Sequence, residues 1–526
     1  MKGAELLVKI LERYGVSHIF GLPGDATPFF RALSKSKIKF ITMRDERGAG
    51  FAADVYGRLS GQPGVLYVSR GPGGTNAVSG IASSFLDASP LLVITDQVGR
   101  KYLARRTQMC VELEKTFVSV SKGAELVWRA QDIPDAVARA WSDMQTHPRG
   151  PRCLVIPQDV FNEESAYRHV APKHLKIKDE SIKAASRFIH HFKRSKNPVA
   201  ILGPGVLEYS STKEFISFVD QFPMRYFSTR NAKGALPLNH QLNFGVMAGW
   251  NDFLSGTDLV VTVGFDTAEK PFPYAWIKNR KIRHLDISHH PHTKLSWFSP
   301  QEIYTVDLKH FFSDIARRSL QLNIPPVSLG NAAQWRERVR KETYEYFGGK
   351  LLYRFLGEEF LGSALSAKDI LLPDTGIHKA LVLFCYEAPG PIVVPSIGFS
   401  SIGFAIPGAL GASLAKSKAR VVVVCGDGGF LQSAAELETI RRLKLPVKII
   451  MVADSSYGLI KTMQMRSFKA HVGTDFTNPD FKYLARAFGF KYVPVRREND
   501  LKKARAEILL RTRPSLIVLY EKYRYR

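Results

Sequence analysis

Short apolar runs alternate along the chain with segments whose apolar residues recur every third or fourth position. The first pattern marks buried strands and the second marks amphipathic helices, so the alternation predicts α/β architecture with mainly parallel sheets flanked by helices. Residues 1–165 form a first unit: a helix near Ala4–Tyr14, then strands near Val65–Ser69, Leu91–Thr95 and Cys153–Ile156. The charged stretch from Asn162 to Lys183 reads as a linker. A second unit, 190–322, opens with the buried run Pro198–Leu202 and a glycine turn, and contains Leu259–Val263. Ile324–Gly330 reads as another boundary, and 340–526 makes a third unit.

The third unit carries the strongest strand, Val421–Cys425, followed at once by Gly426-Asp427-Gly428-Gly429. A helix-like stretch, Ala434–Leu445, leads to the next strand, Val447–Val452. This is a βαβ crossover with a glycine turn at the carboxyl end of its first strand, where open α/β sheets take up phosphate-bearing ligands. Asp427 lies in that turn, and Asp454 follows the next strand. Parallel neighbours bring both carboxylates to one sheet edge. Together with diphosphate oxygens, a backbone carbonyl such as that of Ser456, and water, they suit the octahedral oxygen shell of magnesium.

Composition narrows the class. A chain of 526 residues exceeds what one core sustains. It is 45% hydrophobic and 23% charged, as soluble globular proteins are. No run reaches the roughly 20 apolar residues that span a bilayer, and the start shows no signal-peptide core. Cys110, Cys153, Cys385 and Cys425 are too far apart for a disulfide framework or a zinc site, which points to a reducing cytoplasm. Seventy-four Lys and Arg against 48 Asp and Glu leave a net charge of +26. The basic residues are dispersed, from Lys35 and Lys37 through Lys278–Lys281 to Arg524 and Arg526, so the expectation is a solvated basic surface and not a nucleic-acid-binding one. His284, His289, His290 and His292 crowd the end of a strand at Lys281–Ile287 and are read as a surface group, not a metal site.

Gly-Asp-Gly, the spacer 429–452, and a metal-binding pair (here Ala453-Asp454) followed by Tyr457-Gly458 resemble the signature of thiamine-diphosphate enzymes. The usual pair is Asn-Asn. A carboxylate at its second position is similar to the FAD-independent, catabolic type of acetolactate synthase. The first unit agrees: Arg44-Asp45-Glu46-Arg47-Gly48-Ala49 resembles the family's His-Glu-x-Gly-Ala motif, and Gly71-Pro72-Gly73-Gly74-Thr75-Asn76 its Gly-Pro-Gly-x-Thr-Asn loop. Gly21-Leu22-Pro23-Gly24 fits the first glycine turn.

The resemblance implies a pyrimidine-binding domain (1–165), a central domain (190–322) and a diphosphate-binding domain (340–526). It implies that Glu46 hydrogen-bonds the cofactor's pyrimidine N1′, so that the ring's exocyclic nitrogen generates the reactive ylide. The bland alternative is that Glu46 pairs with Arg44 or Arg47. Gly24, Pro72 and Asn76 would line the pyrimidine half. Gly376, His378, Gly426, Gly428 and Gly429 would touch the diphosphate. Ile402 would wedge between the two rings, and Ser400 would offer its carbonyl to the 4′-amino group. Gln108 fits the active-site glutamine only with a one-residue shift from Met109. Lys233, in a family landmark, would steer anionic substrate. Lys270 stands where FAD-containing synthases have an arginine, and a lysine offers only a point charge there.

The activity implied is decarboxylation of pyruvate and joining of the two-carbon unit to a second 2-oxo acid, as in branched-chain amino acid biosynthesis. Simple decarboxylation or another carboligation is the alternative, because Leu459–Gln464 lacks the family's tryptophan. A non-catalytic homologue or a basic RNA-binding protein is the rival from another class. The implied cofactors are thiamine diphosphate and Mg2+, with no feature that demands FAD. The implied assembly is a homodimer or homotetramer whose active sites lie between chains.

Overall fold

The computed structural model describes residues 1–103, 105–173, 178–210, 212–248, 254–269, 282–289, 299–319, 329–386, 392–521 and 523. Lys270, His290, His292, the basic run 278–281 and most of the boundary at 324–330 lie outside them. Three parallel six-stranded sheets follow one another along the chain. The first contains β1 (His18–Gly21), β2 (Lys39–Thr42), β3 (Gly64–Val68), β4 (Leu91–Gln97), β5 (Ala124–Leu126) and β6 (Pro151–Pro157). The second contains β7 (Pro198–Leu202), β8 (Arg225–Ser228), β9 (Asn243–Val246), β10 (Leu259–Val263), β11 (Arg283–Ser288) and β12 (Glu302–Thr305). The third contains β13 (Ile370–Pro373), β14 (Ile392–Val393), β15 (Val421–Gly426), β16 (Lys448–Ala453), β17 (Lys491–Val495) and β18 (Ser515–Tyr520). The α/β class read from the sequence is the class observed.

The first sheet runs β2-β1-β3-β4-β6-β5 and the third runs β14-β13-β15-β16-β18-β17, which is the same order repeated. Each therefore reverses direction between its first and third strands, at β1/β3 and at β13/β15. Open parallel sheets bind ligands in the crevice at the carboxyl ends of such a switch point. The central sheet, β12-β11-β10-β7-β8-β9, reverses between β7 and β10.

Strands such as Val421-Val422-Val423-Val424-Cys425 are buried along their length because helices cover both faces. The first and third units share one core. Its seam is the Glu46–Ser60 helix against the Ala405–Ala415 helix, with the Phe51 and Phe404 rings 5.5 Å apart. Small residues let these backbones approach: a Cβ on Gly411 would stand 2.0 Å from the Ala52 carbonyl oxygen. The seam fixes how the amino end of the first helix meets the third unit. The Arg44 N–H donates to Glu436 Oε1 at 2.9 Å, and Arg47 Nη2 donates to the Gln432 carbonyl at 3.2 Å. Asp87 ties all three units at one point. It accepts from Ser396 Oγ (3.1 Å), Ile397 N (3.0 Å), Gly398 N (2.8 Å) and Asn231 Nδ2 (3.2 Å).

Candidate active site

In the third unit, β15 pairs with β16 so that Gly426 lies beside Val452. The two strand ends therefore deliver Asp427 and Asp454 to the same edge. The expected glycine turn is the start of a helix, Asp427–Gln432, because the 426–429 backbone coils as soon as it leaves the sheet. Asp427 is buried. Its Oδ1 accepts from the Gly428 N–H (2.9 Å), and its Oδ2 accepts from Asp454 N (3.0 Å), Ser455 N (2.7 Å) and Asn478 Nδ2 (2.7 Å). Burial raises its pKa, and these donors oppose the rise. Ser455 adopts a left-handed backbone (φ 58°) to present its N–H there, and Ser456 Oγ donates to Asp454 Oδ2 at 2.9 Å. Among the described residues no three His, Cys, Asp or Glu side chains gather as a metal cage. A cation at this edge would take its remaining oxygens from backbone, water and ligand.

Two glycines are required by what they touch. A Cβ on Gly428 would stand 2.7 Å from the Tyr457 ring, and one on Gly429 would stand 2.3 Å from Asp374 Oδ2 and 3.3 Å from Ile402. Asp374 is a residue whose importance the sequence did not reveal. Its buried carboxylate accepts the N–H groups of Thr375 (2.8 Å), Gly403 (3.0 Å) and Phe404 (3.2 Å), and burial pushes its pKa up to about 6. It thereby staples the end of β13 to the loop that carries Ile402.

His378 follows β13 on the other side of the switch point. Its ring packs against Gly376 and Gly426, since a Cβ on either would meet the imidazole at 2.4 and 3.3 Å respectively. The ring is buried, its Nε2 has no hydrogen-bond partner among the described residues, and burial lowers its pKa to about 3, so it is neutral near pH 7. A buried unpaired nitrogen beside a glycine cradle awaits a polar ligand. The residues at this edge thus fit a magnesium-bound diphosphate. Ser400 sits nearby with φ 55°, and Ile402 is half-buried beside Gly429.

The equivalent switch point of the first sheet collects the other half. Gly24 follows β1 and packs on Ser69 beyond β3, where a Cβ would stand 2.6 Å from the serine Cβ. Pro72 opens the Pro72–Leu86 helix, and Asn76 Nδ2 donates to Glu46 Oε2 at 3.3 Å. The Glu46 Oε1 faces Gly73. Arg44 and Arg47 turn instead to Glu438 (4.0 Å) and Asp45 (3.6 Å). Among the described residues Glu46 makes no hydrogen bond with Asp427 or Asp454 in its own chain.

Of the remaining expected residues, one is bonded to a helix end and the other is exposed. The Lys233 ammonium donates to the carbonyls of Leu383 (2.7 Å) and Tyr386 (3.1 Å). That is the carboxyl end of the Ile377–Cys385 helix, whereas His378 is at its amino end. A long cationic side chain finds favourable company at a helix carboxyl terminus, and this position supports capping in place of substrate steering. Gln108 is exposed, and it is the backbone of Met109 (φ 60°) that packs on Gly71. Of the histidine group, His284 bonds Thr262 (3.1 Å) and His289 stacks on His147 with centroids 4.4 Å apart.

Comparison with known proteins agrees with this geometry. Residues 1–115 match the N-terminal TPP binding domain of thiamine pyrophosphate enzymes, 185–297 their central domain, and 374–519 their C-terminal TPP binding domain. The acetolactate synthase large subunit of Lactococcus lactis is 30% identical, over 95% of this chain and 90% of its own length. The acetolactate synthase of Bacillus subtilis is also 30% identical, over 95% and 90%. The acetolactate synthase large subunit of Buchnera aphidicola is 26% identical, over 96% and 91%. This chain belongs to the thiamine-pyrophosphate-dependent enzymes of the acetolactate synthase type.

Proposed function

We propose that the chain decarboxylates pyruvate and joins the two-carbon unit to a second 2-oxo acid, using thiamine diphosphate held through Mg2+. The observation that carries the reading is the single edge shared by Asp427, Asp454 and the unpaired Nε2 of His378. Bound there, the cofactor supplies the electron sink that loss of carbon dioxide from a 2-oxo acid needs.

The chain's own residues do the rest. Asp427, Asp454 and Ser456 hold the metal, and Gly376, Gly426, Gly428, Gly429 and His378 receive the diphosphate. Ile402 fixes ring geometry by occupying space, and Ser400 offers its carbonyl. Asn76 orients the Glu46 carboxylate, which leaves Oε1 to carry a proton to and from the pyrimidine. Gly24 and Pro72 complete that half. Gln108, which is exposed, stays the candidate active-site glutamine, and the Lys233 ammonium, bonded to the Leu383 and Tyr386 carbonyls, holds a helix end.

Glu46 and Asp427 each stand at the carboxyl edge of a sheet of the same strand order, and among the described residues of one chain no hydrogen bond joins them. The reading therefore places the two halves of each site on two chains, in a homodimer or a tetramer of dimers. It divides the chain at 1–165, 190–322 and 340–526, and sets it in a reducing cytoplasm, the reading drawn from the wide spacing of its four cysteines. Among the described residues no helix is long and apolar enough to cross a membrane. No role is assigned to FAD, and a flavin band in the absorbance spectrum of the purified protein would contradict that.

Simple decarboxylation is the second reading, favoured by a Leu459–Gln464 stretch without an aromatic residue to receive the acceptor. Incubation with pyruvate, Mg2+ and thiamine diphosphate, followed by product identification, separates the two. Acetolactate supports the carboligase; acetaldehyde alone rejects it.

A further inference from the structure

Lys379 follows His378 and is almost fully buried, with 9% of its surface exposed. Burying an ammonium is costly unless hydrogen bonds compensate. Three oxygens do so: Nζ donates to Thr375 Oγ1 (3.2 Å), the Ser396 carbonyl (2.9 Å) and Ser400 Oγ (3.0 Å). That is one acceptor for each N–H of an ammonium. None of the three is a carboxylate. Asp374 and Asp87 attract the charge from farther away, Arg230 of the central unit repels it, and His378 beside it is neutral. Desolvation dominates and lowers the Lys379 pKa to about 8.

The acceptors belong to two parts of the site. Thr375 precedes the Gly376–His378 turn, while Ser396 and Ser400 lie in the loop that leads to Ile402. Ser400 holds a left-handed backbone (φ 55°), which is costly for a non-glycine residue. Such a conformation persists only where the surroundings over-determine it. Asp87 grips the loop from the first unit through Ser396, Ile397 and Gly398. Lys379 grips it from the third.

We propose that Lys379 is a positioning residue: its buried ammonium ties the 396–400 loop to the turn before His378, so that Ser400 and Ile402 stay aligned with the ligand that His378 and Asp427 hold. This rests on the cofactor placement of the preceding section. It carries a pH signature. An ammonium donates three hydrogen bonds and an amine two, so the clamp is complete below pH about 8 and weakens as pH rises through that value.

The test is titration of thiamine diphosphate at saturating Mg2+ into wild type, Lys379→Met, Lys379→Gln and Asp427→Ala, followed by tryptophan fluorescence between pH 7 and 9. The Lys379 variants are expected to need about tenfold more cofactor for half-saturation, the scale of a lost charged hydrogen bond. Wild-type half-saturation is expected to rise above pH 8 while that of the variants stays flat. If Lys379→Met does not fold, Lys379→Gln, which keeps an amide donor, decides the matter. Wild-type affinity in either folded Lys379 variant, or a retained alkaline rise, overturns the clamp while a weakened Asp427→Ala upholds the cofactor placement. Undiminished binding by Asp427→Ala overturns the placement itself.

Discussion

The Asp427 carboxylate accepts the backbone N–H of Asp454 at 3.0 Å, so the first metal candidate builds the turn that presents the second. The two are one structural unit. Replacing Asp427 by Ala would strand the donors of Asp454, Ser455 and Asn478, at about 1–3 kcal/mol for each one left buried without an acceptor. Asp427→Ala is expected to lower the denaturation midpoint and to abolish Mg2+-dependent cofactor binding together. Loss of binding at unchanged stability would separate the two roles.

Gly429 faces Asp374 so closely that a methyl group must displace the carboxylate. Gly429→Ala is expected to cost about 1–3 kcal/mol in chemical denaturation, as overpacking does. Gly61, whose added Cβ would meet open space, is the contrasting position: only its left-handed backbone (φ 77°) penalises Ala there.

How much of this was legible in the sequence depends on the range of the interaction. The β15–β16 crossover was legible because a run of valines, a glycine motif and a second apolar run fall within one local unit. The repeated strand order was not legible, since pairing of β13 with β15 or β4 with β6 is a tertiary choice. Asp374 and Lys379 were in view as letters, but their partners Gly403 and Ser400 lie a whole helix and strand further on. Where the Lys233 ammonium ends was not legible, because a flexible four-carbon stem does not fix its direction. Gln108 and Met109 differ by one residue in a loop, where no periodicity fixes register.

Neutral His378 gives an acid-side signature. Its pKa falls from an ordinary 6.5 to about 3 in the folded chain. The unfolded chain therefore takes up the proton first, so stability from this residue is complete above pH about 6.5 and is lost as pH falls toward 3. His378→Gln in the cofactor-free protein is expected to flatten the stability profile across that window, measured by urea denaturation at successive pH values. An unchanged slope would show that the imidazole is not buried neutral.

Glu46→Gln keeps the shape and the Asn76 contact region but removes the carboxylate that holds the proton. Turnover is expected to fall about a hundredfold or more while cofactor binding persists, the scale of a lost general acid–base group. Unimpaired turnover would reject the assigned role.

The claim that Glu46 and Asp427 act on one cofactor across two chains is tested most directly by mixing two inactive variants. Glu46→Gln and Asp427→Ala chains, unfolded and refolded together, form hybrid dimers. If sites are shared between chains, each hybrid has one intact site, and random pairing restores about a quarter of wild-type acetolactate formation. If each chain builds its own site, every site in the mixture is defective and no activity returns, which would contradict the account.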